Sequence, residues 1–292
     1  MEQIAKRNIT LQAYINFLAG VVFLVPLITL FYQYTGLSLM QIIIISNVAS
    51  LAVRIFELPT SVWADTAGRR KSLVVSVICS FLSALLILLV PSYAGFLIAS
   101  VVSGLYYAFW SGTGQAFLED NLKILGERSK FWKKIWHFMA LENLAWLVTP
   151  LIASVILKFC GDGGYVVLAG LDVVSAGALV ILTLQLREVQ VYEKLLSWKE
   201  AFKTNVATAK TAIKNVVSNS SLRTLLVYRS LASHVWFLFI ISLPICTQYG
   251  MPTRVAWVLT TAGAIAVMLA SKYAYKVGEK YSYNAAWVLS TV

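Results

Sequence analysis

The chain has 292 residues, 59% of them hydrophobic and only 13% charged, where soluble domains sit near 45–50% apolar and about 25% charged. This excludes a water-soluble enzyme and a secreted disulfide scaffold, because a soluble surface needs about a quarter to a third of charged residues. Lipid is the expected solvent, so the net charge of +11 is tested against membrane topology before nucleic acid.

A bilayer core about 30 Å thick takes roughly 20 apolar residues per helix. Residues 8–53 carry no charge and divide at a polar, turn-prone stretch from Gln33 to Ser38, predicting a first span over 10–32 and a second over 40–64. Residues 72–118 are also uncharged, and Pro91 with Ser92 separates a third span from a fourth. A charged connecting stretch follows at 119–134, then a fifth span over 137–157, a glycine-rich turn at 161–164 and a sixth span to about 186. After a second charged stretch at 187–223 come a seventh span to about 249, an eighth over 254–275, and an uncharged run from 281 that reads as a ninth span cut off. Cys79, Cys160 and Cys246 lie in apolar stretches and, with two histidines, show no metal-ligand spacing. They read as small buried hydrophobes.

Cytoplasmic loops retain Lys and Arg. Of the 24 such residues only Lys158 and Arg254 fall in loops on the opposite side, and Arg54 and Arg229 lie within spans; the rest occupy alternate segments beginning with the N-terminus. Topology thus accounts for the basic excess, places the N-terminus inside, and removes the support for a nucleic-acid partner. The first apolar run has the length of a span and not of a cleavable signal sequence. In the long inner segment Leu195, Trp198, Phe202, Val206, Ala209, Ile213 and Val216 recur at steps of three and four. Lys199, Lys203, Lys210 and Lys214 flank that stripe, predicting an amphipathic helix on the inner leaflet whose lysines meet anionic headgroups. The alternative is a mobile charged linker. The expected organisation is an all-α membrane protein: a six-helix bundle over 1–190, a cytoplasmic amphipathic linker over 191–222, and an incomplete C-terminal bundle over 223–292.

The loop after the second span reads Ala64, Asp65, Thr66, Ala67, Gly68, Arg69, Arg70, Lys71, preceded by Glu57, Leu58, Pro59 and Thr60. This resembles the Gly-x-Leu-Ala-Asp-Arg-x-Gly-Arg-Arg-Lys signature of the major facilitator superfamily, departing from it at Ser61 and Thr66. The run from Ser111 to Leu122, with Glu119, Asp120 and Asn121, looks like a prokaryotic subgroup in which the position of Gln115 is often Glu. Aligning Gly278 with Gly68 places Tyr275, Lys276, Val277, Gly278, Glu279 and Lys280 as a decayed second copy, as duplication requires. The resemblance implies a helical bundle of that family, here with eight to nine of its usual twelve spans. It also implies that Asp65, with Gly68, Arg69, Arg70 and Lys71, latches one conformational state against the opposite half. The simpler reading is that these charges only enforce topology.

An ionisable side chain within a span costs at least about 2.5 kcal/mol on insertion scales and is a candidate for function. Glu57 lies roughly 10 Å and Arg54 about 15 Å from the inner surface, and Glu142 about 9 Å, so Arg54 is expected to be shared by the two carboxylates. One carboxylate could then take up a proton; otherwise the trio is a permanent ion pair. Asp172, about 12 Å from the outer side, has no charged neighbour one turn away, and is expected to be protonated or hydrogen-bonded. His234 sits near mid-membrane in the seventh span. Arg229 snorkels to the inner end. The family's first and fourth helices line its cavity, which nominates Asn16, Tyr14, Gln33, Tyr106, Tyr107, Trp110 and Gln115 as solute contacts. No nucleophile with a base, metal cluster or phosphate loop points to an enzyme or to a cofactor other than H+.

The expected function is secondary transport of a small solute by alternating access in the cell membrane, in the mode of proton-coupled export of an amphipathic or drug-like compound, by a monomer. Facilitated uptake of a neutral solute, or a non-transporting sensor or assembly protein on the same fold, are the alternatives.

Overall fold

The computed structural model describes residues 1–189, 198–220, 222–224, 226–227 and 250. The expected seventh, eighth and ninth spans, with His234, Arg229 and the second motif copy at 275–280, lie outside the described residues. The chain divides into two compact units, Met1–Ala201 and Phe202–Val292. Among the described residues regular structure is helical, with no strand.

In the first unit the expected first span is two helices, α1 (Glu2–Ala19) and α2 (Ile28–Tyr34), joined by an unwound stretch and a 3-10 turn at Val25–Leu27. The span starts earlier than expected and is interrupted where a continuous helix was predicted. Pro26 explains much of this, since it lacks an N–H and its ring clashes with the carbonyl four residues back. Gly20 supplies the other part: a Cβ on it would lie 2.4 Å from the Glu142 carbonyl oxygen, so the chain passes against a neighbouring helix where no side chain fits.

The second span is α3 (Leu39–Ala67). It opens with a capping box in which the Ser38 hydroxyl accepts from the Gln41 N–H at 3.4 Å and the Gln41 side chain accepts from the Ser38 N–H at 2.9 Å. Then come α4 (Arg69–Leu89), ending before Pro91, and α5 (Tyr93–Trp110), whose first turn the Ser92 hydroxyl caps through the Gly95 N–H at 3.2 Å. The fourth span breaks at residues 111–112 and resumes as α6 (Thr113–Ile124). The stretch expected as a charged connection from 119 is therefore helical to Ile124, and α7 (Phe131–Cys160) begins well before 137. Charge counting missed this, because Glu119 and Lys123 are four residues apart and pair along one helix face, 3.2 Å apart. The sixth span is α8 (Gly164–Leu184).

Packing runs chiefly through α4 on α5 and α8, α3 on α5, and α1 on α7, α8 and α6. The apolar helices leave no water for hydroxyls, so these donate to neighbouring carbonyls. Ser72, Ser76 and Ser83 of α4 bond Phe109, Tyr106 and Ala99 of α5 at 3.4, 3.1 and 3.0 Å. Ile44, Leu51, Ile55, Ile98, Val174 and Ile181 point outward and are exposed, as a lipid-facing surface requires. The stretches Leu39–Ala67, Arg69–Leu89, Tyr93–Ile124 and Arg128–Leu184 are long and apolar enough to cross a bilayer. Of the cysteines, Cys79 is half-buried but Cys160 is exposed, against the expectation of burial. It is the last residue of α7, at the turn Gly161–Gly163 that leads into α8. Cys246 lies outside the described residues.

The inner segment predicted to be amphipathic carries a helix, α9 (Trp198–Ser218). Lys199, Lys203, Lys210 and Lys214 are exposed on it, and so are Phe202 and Ile213.

Candidate functional site

The signature loop folds as a one-residue turn. Gly68 connects α3 directly to α4 with φ +105, a conformation L side chains rarely adopt, and a Cβ there would come within 2.9 Å of the Glu188 carboxylate. The turn aims two guanidinium groups into the unit. Arg69 forms an ion pair with buried Asp120 of α6 and donates to the Ala116 carbonyl at 2.6 Å. Arg70 donates to the carbonyls of Leu186 at 2.5 Å and Leu184 at 2.9 Å, while its own N–H donates to Glu188 at 2.9 Å. Carbonyls at a helix C-terminus have no partner within the helix and carry the negative end of its dipole, so a cation stabilises them. Burial raises the Glu188 carboxyl from its ordinary value, against the opposing pull of the Arg70 and Arg69 N–H groups and charges. Asn8 of α1 completes this cluster, donating to Asn121 at 2.9 Å and to the Arg187 carbonyl at 2.8 Å, and accepting from the Arg187 N–H at 3.1 Å. Asp65, two residues before the end of α3, is exposed, as is Lys71.

A second constellation lies inside the first unit. A cavity of about 240 Å³ is bounded by the interrupted first span and by α4, α5, α7 and α8. Tyr106, Tyr107, Trp110, Glu142, Trp146 and Asp172 line it. The carboxylate of Asp172 accepts the N–H of Phe23 at 2.6 Å and of Leu24 at 3.0 Å, and the Ser175 hydroxyl donates to the Val21 carbonyl at 3.1 Å. One turn of α8 thus supplies the acceptors and a donor that the unwound backbone lost. The Tyr106 ring stands 4.7 Å from that of Tyr107 and 6.1 Å from that of Trp110.

The expected sharing of Arg54 by Glu57 and Glu142 is not what the structure contains. Among the described residues no ion pair joins them; Arg54 and Glu57 are exposed on α3, which packs on α5, whereas Glu142 rides on α7, which packs on α1. Depth along a helix set the three at similar levels, but depth carries no information about which helices are neighbours. The hydrogen-bonded alternative for Asp172 is the one found, with backbone partners. Of the expected solute contacts, Tyr106, Tyr107 and Trp110 reach the cavity. Asn16 donates to the Gln12 carbonyl of its own helix at 2.7 Å, and Gln115 and Tyr14 are exposed; these and half-buried Gln33 are not among the cavity's lining residues. Glu188, Asn8, Ser175 and Trp146 were not singled out, and Asp120 was named only as part of the run from Ser111 to Leu122. Ser175 falls three residues from Asp172, on the same helix face, and that spacing was the available signal.

The sequence matches the Major Facilitator Superfamily pattern over residues 10–292. No curated protein matches the chain. Solved structures with the same fold include the nucleoside transporter NupG, with a TM-score of 0.69 at 9% identity, covering 95% of this chain and 69% of that one. A D-xylose-proton symporter gives 0.57 at 15% identity, covering 96% and 69%, and the human organic anion transporter MFSD10 (TETRAN) gives 0.53 at 15%, covering 98% and 72%. With nearly the whole sequence matched and the helical fold shared with known transporters, this chain belongs to the Major Facilitator Superfamily, whose members are membrane transporters and not enzymes.

Proposed function

We propose that the chain moves a small amphipathic solute across the cell membrane by proton-coupled alternating access, with the N-terminus cytoplasmic. The observation that carries this reading is the cavity beside the interrupted first span, walled by Tyr106, Tyr107 and Trp110 and reached by Glu142 and Asp172. Unwound backbone at membrane depth is tolerated where it lines a cavity or is buried in protein, and carboxylates in such a place are the usual carriers of protons. Asp65 is the latch residue of the signature loop, and α9 rests its lysines on anionic headgroups of the inner leaflet. The chain acts as a monomer and needs no cofactor beyond H+.

Proteoliposomes test this. Uptake of a panel of labelled amphipathic solutes is followed with and without an imposed pH gradient, and internal pH is recorded with a trapped dye. The expected result is saturable flux of at least one solute, accelerated by the gradient and accompanied by proton movement. Flux unaffected by the gradient refutes proton coupling, and solute-independent leak alone refutes transport.

A further inference from the structure

Two carboxylates and four aromatic rings line the cavity of the first unit, and among the described residues no Lys, Arg or His lines it. The two acids are not equivalent. Asp172 has both oxygens engaged by the Phe23 and Leu24 N–H groups, so its charge is largely spent on holding the first span open. Glu142 has no hydrogen bond or ion pair among the described residues, and it shares the cavity wall with Tyr106 and Tyr107. An unpaired carboxylate in a low-dielectric bundle is neutralised by a proton or compensated by a positive partner, so a cation entering the cavity takes the place the proton otherwise fills. Tyr and Trp faces attract a cation through the ring quadrupole, most strongly where water is excluded. A bare metal ion does not suit the site, because no group of three or more His, Cys, Asp or Glu among the described residues converges as metal ligands would.

We infer that the cavity is a binding site for a small monovalent organic cation, a substituted ammonium on an apolar body, with Glu142 as its counter-ion and Tyr106, Tyr107, Trp110 and Trp146 as its aromatic walls. Asp172 is a positioning residue that keeps the wall at residues 20–24 in place. The volume of about 240 Å³ lies below the roughly 300–1,000 Å³ of sites for drug-sized ligands, which limits the cation to a single ring or a few short alkyl groups. This assignment rests on the transport reading, since it names the class of solute carried.

The test is equilibrium dialysis of the purified chain in detergent against labelled benzyltrimethylammonium, with benzyl alcohol and benzoate as neutral and anionic competitors. Saturable binding is expected, displaced by neither competitor at equal concentration. Glu142→Gln weakens it about tenfold or more, while Glu142→Asp retains most of it and Glu127→Gln, on the exposed loop before α7, leaves it unchanged. Should Glu142→Gln not elute as a single species, Trp146→Leu serves, with a loss of about tenfold. Absence of saturable binding, equal affinity in Glu142→Gln, or displacement by benzoate overturns the assignment. Cation binding without flux in proteoliposomes overturns the transport reading alone, whereas gradient-driven flux of an uncharged solute without cation binding overturns the cation site alone.

Discussion

Asp172 makes the sharpest prediction about how the first unit holds its shape. Two backbone N–H groups of the interrupted first span end on its two oxygens, at 2.6 and 3.0 Å. A hydrogen bond to a charged group is worth about 1.5–3 kcal/mol. Asp172→Asn keeps one acceptor and loses one such bond, about 2 kcal/mol; Asp172→Ala loses both, about 4 kcal/mol. Relief of the carboxylate's own desolvation works in the opposite direction, so these are upper figures. For a helical unit of this size 1 kcal/mol moves Tm by about 2–4 °C, which places the drops near 4–8 °C for Asn and 8–16 °C for Ala. Thermal unfolding in detergent, followed by far-ultraviolet circular dichroism, reads them directly. The argument also requires coupling to Pro26. In a Pro26→Ala background the first span can close toward a continuous helix and its N–H groups find their own carbonyls, so the Asp172→Ala penalty should fall to less than half. An Asp172→Ala variant as stable as the parent, or an identical penalty in both backgrounds, would refute the claim that this carboxylate holds the interruption.

Gly20→Ala brings a methyl to 2.4 Å from the Glu142 carbonyl oxygen and should cost about 1–3 kcal/mol, whereas Gly170→Ala, with nothing within 4 Å, should shift Tm by little. Arg69→Ala leaves the buried Asp120 carboxylate only the more distant Lys123, at 3.9 Å, and should cost up to about 3–5 kcal/mol, and the double variant with Asp120→Asn should recover part of that loss; strict additivity of the two single effects would show that the pair is not coupled. Asp65→Asn should depress solute flux in proteoliposomes at an unchanged amount of inserted protein, and equal flux would remove the latch. Because burial raises the Glu188 carboxyl, the folded state holds its proton to higher pH than the unfolded chain does. Stability from this group is fully present below the unfolded value and declines as pH rises through the folded one. The Tm of the parent, measured against that of Glu188→Gln across that window, should fall as pH increases; a constant or rising difference contradicts it.

The spans of the first unit were legible because hydropathy and length decide whether a helix can live in lipid, and the turn at Gly68 was legible because a glycine between a helix end and basic residues has few other uses. What escaped reading was lateral. Arg54 and Glu142 were matched by depth, but they sit on α3 and α7, which pack on different partners. The interruption of the first span escaped for a related reason: Gly20 and Pro26 are ordinary inside membrane helices, and only the backbone of α7 on one side and Asp172 on the other turn them into a break. The C-terminal end of the fourth span was misread because Glu119, Asp120 and Lys123 were counted as charges, when their spacing lets them pair along α6 and with Arg69 and Arg128.

Both interrupted spans are repaired by side chains of neighbouring helices. Unwinding a helix in lipid strands backbone groups at several kcal/mol each unless another part of the protein meets them. At the first interruption the repair comes from Asp172 and Ser175 of α8. At the second, carbonyls left open at the end of α5 are met by the hydroxyls of Thr60 of α3, at Ala108 and 3.0 Å, and of Ser72 of α4, at Phe109 and 3.4 Å. In addition, α4 and α8 are fastened to each other through Arg70 at the Leu184 and Leu186 carbonyls. In this arrangement the signature arginines act within the first unit: they clamp α4, α6 and α8 together, while the cavity wall at residues 20–24 is held by Asp172 and Ser175 of α8. A change in what Asp172 accepts would move that wall while the contacts of Arg69 and Arg70 stay in place.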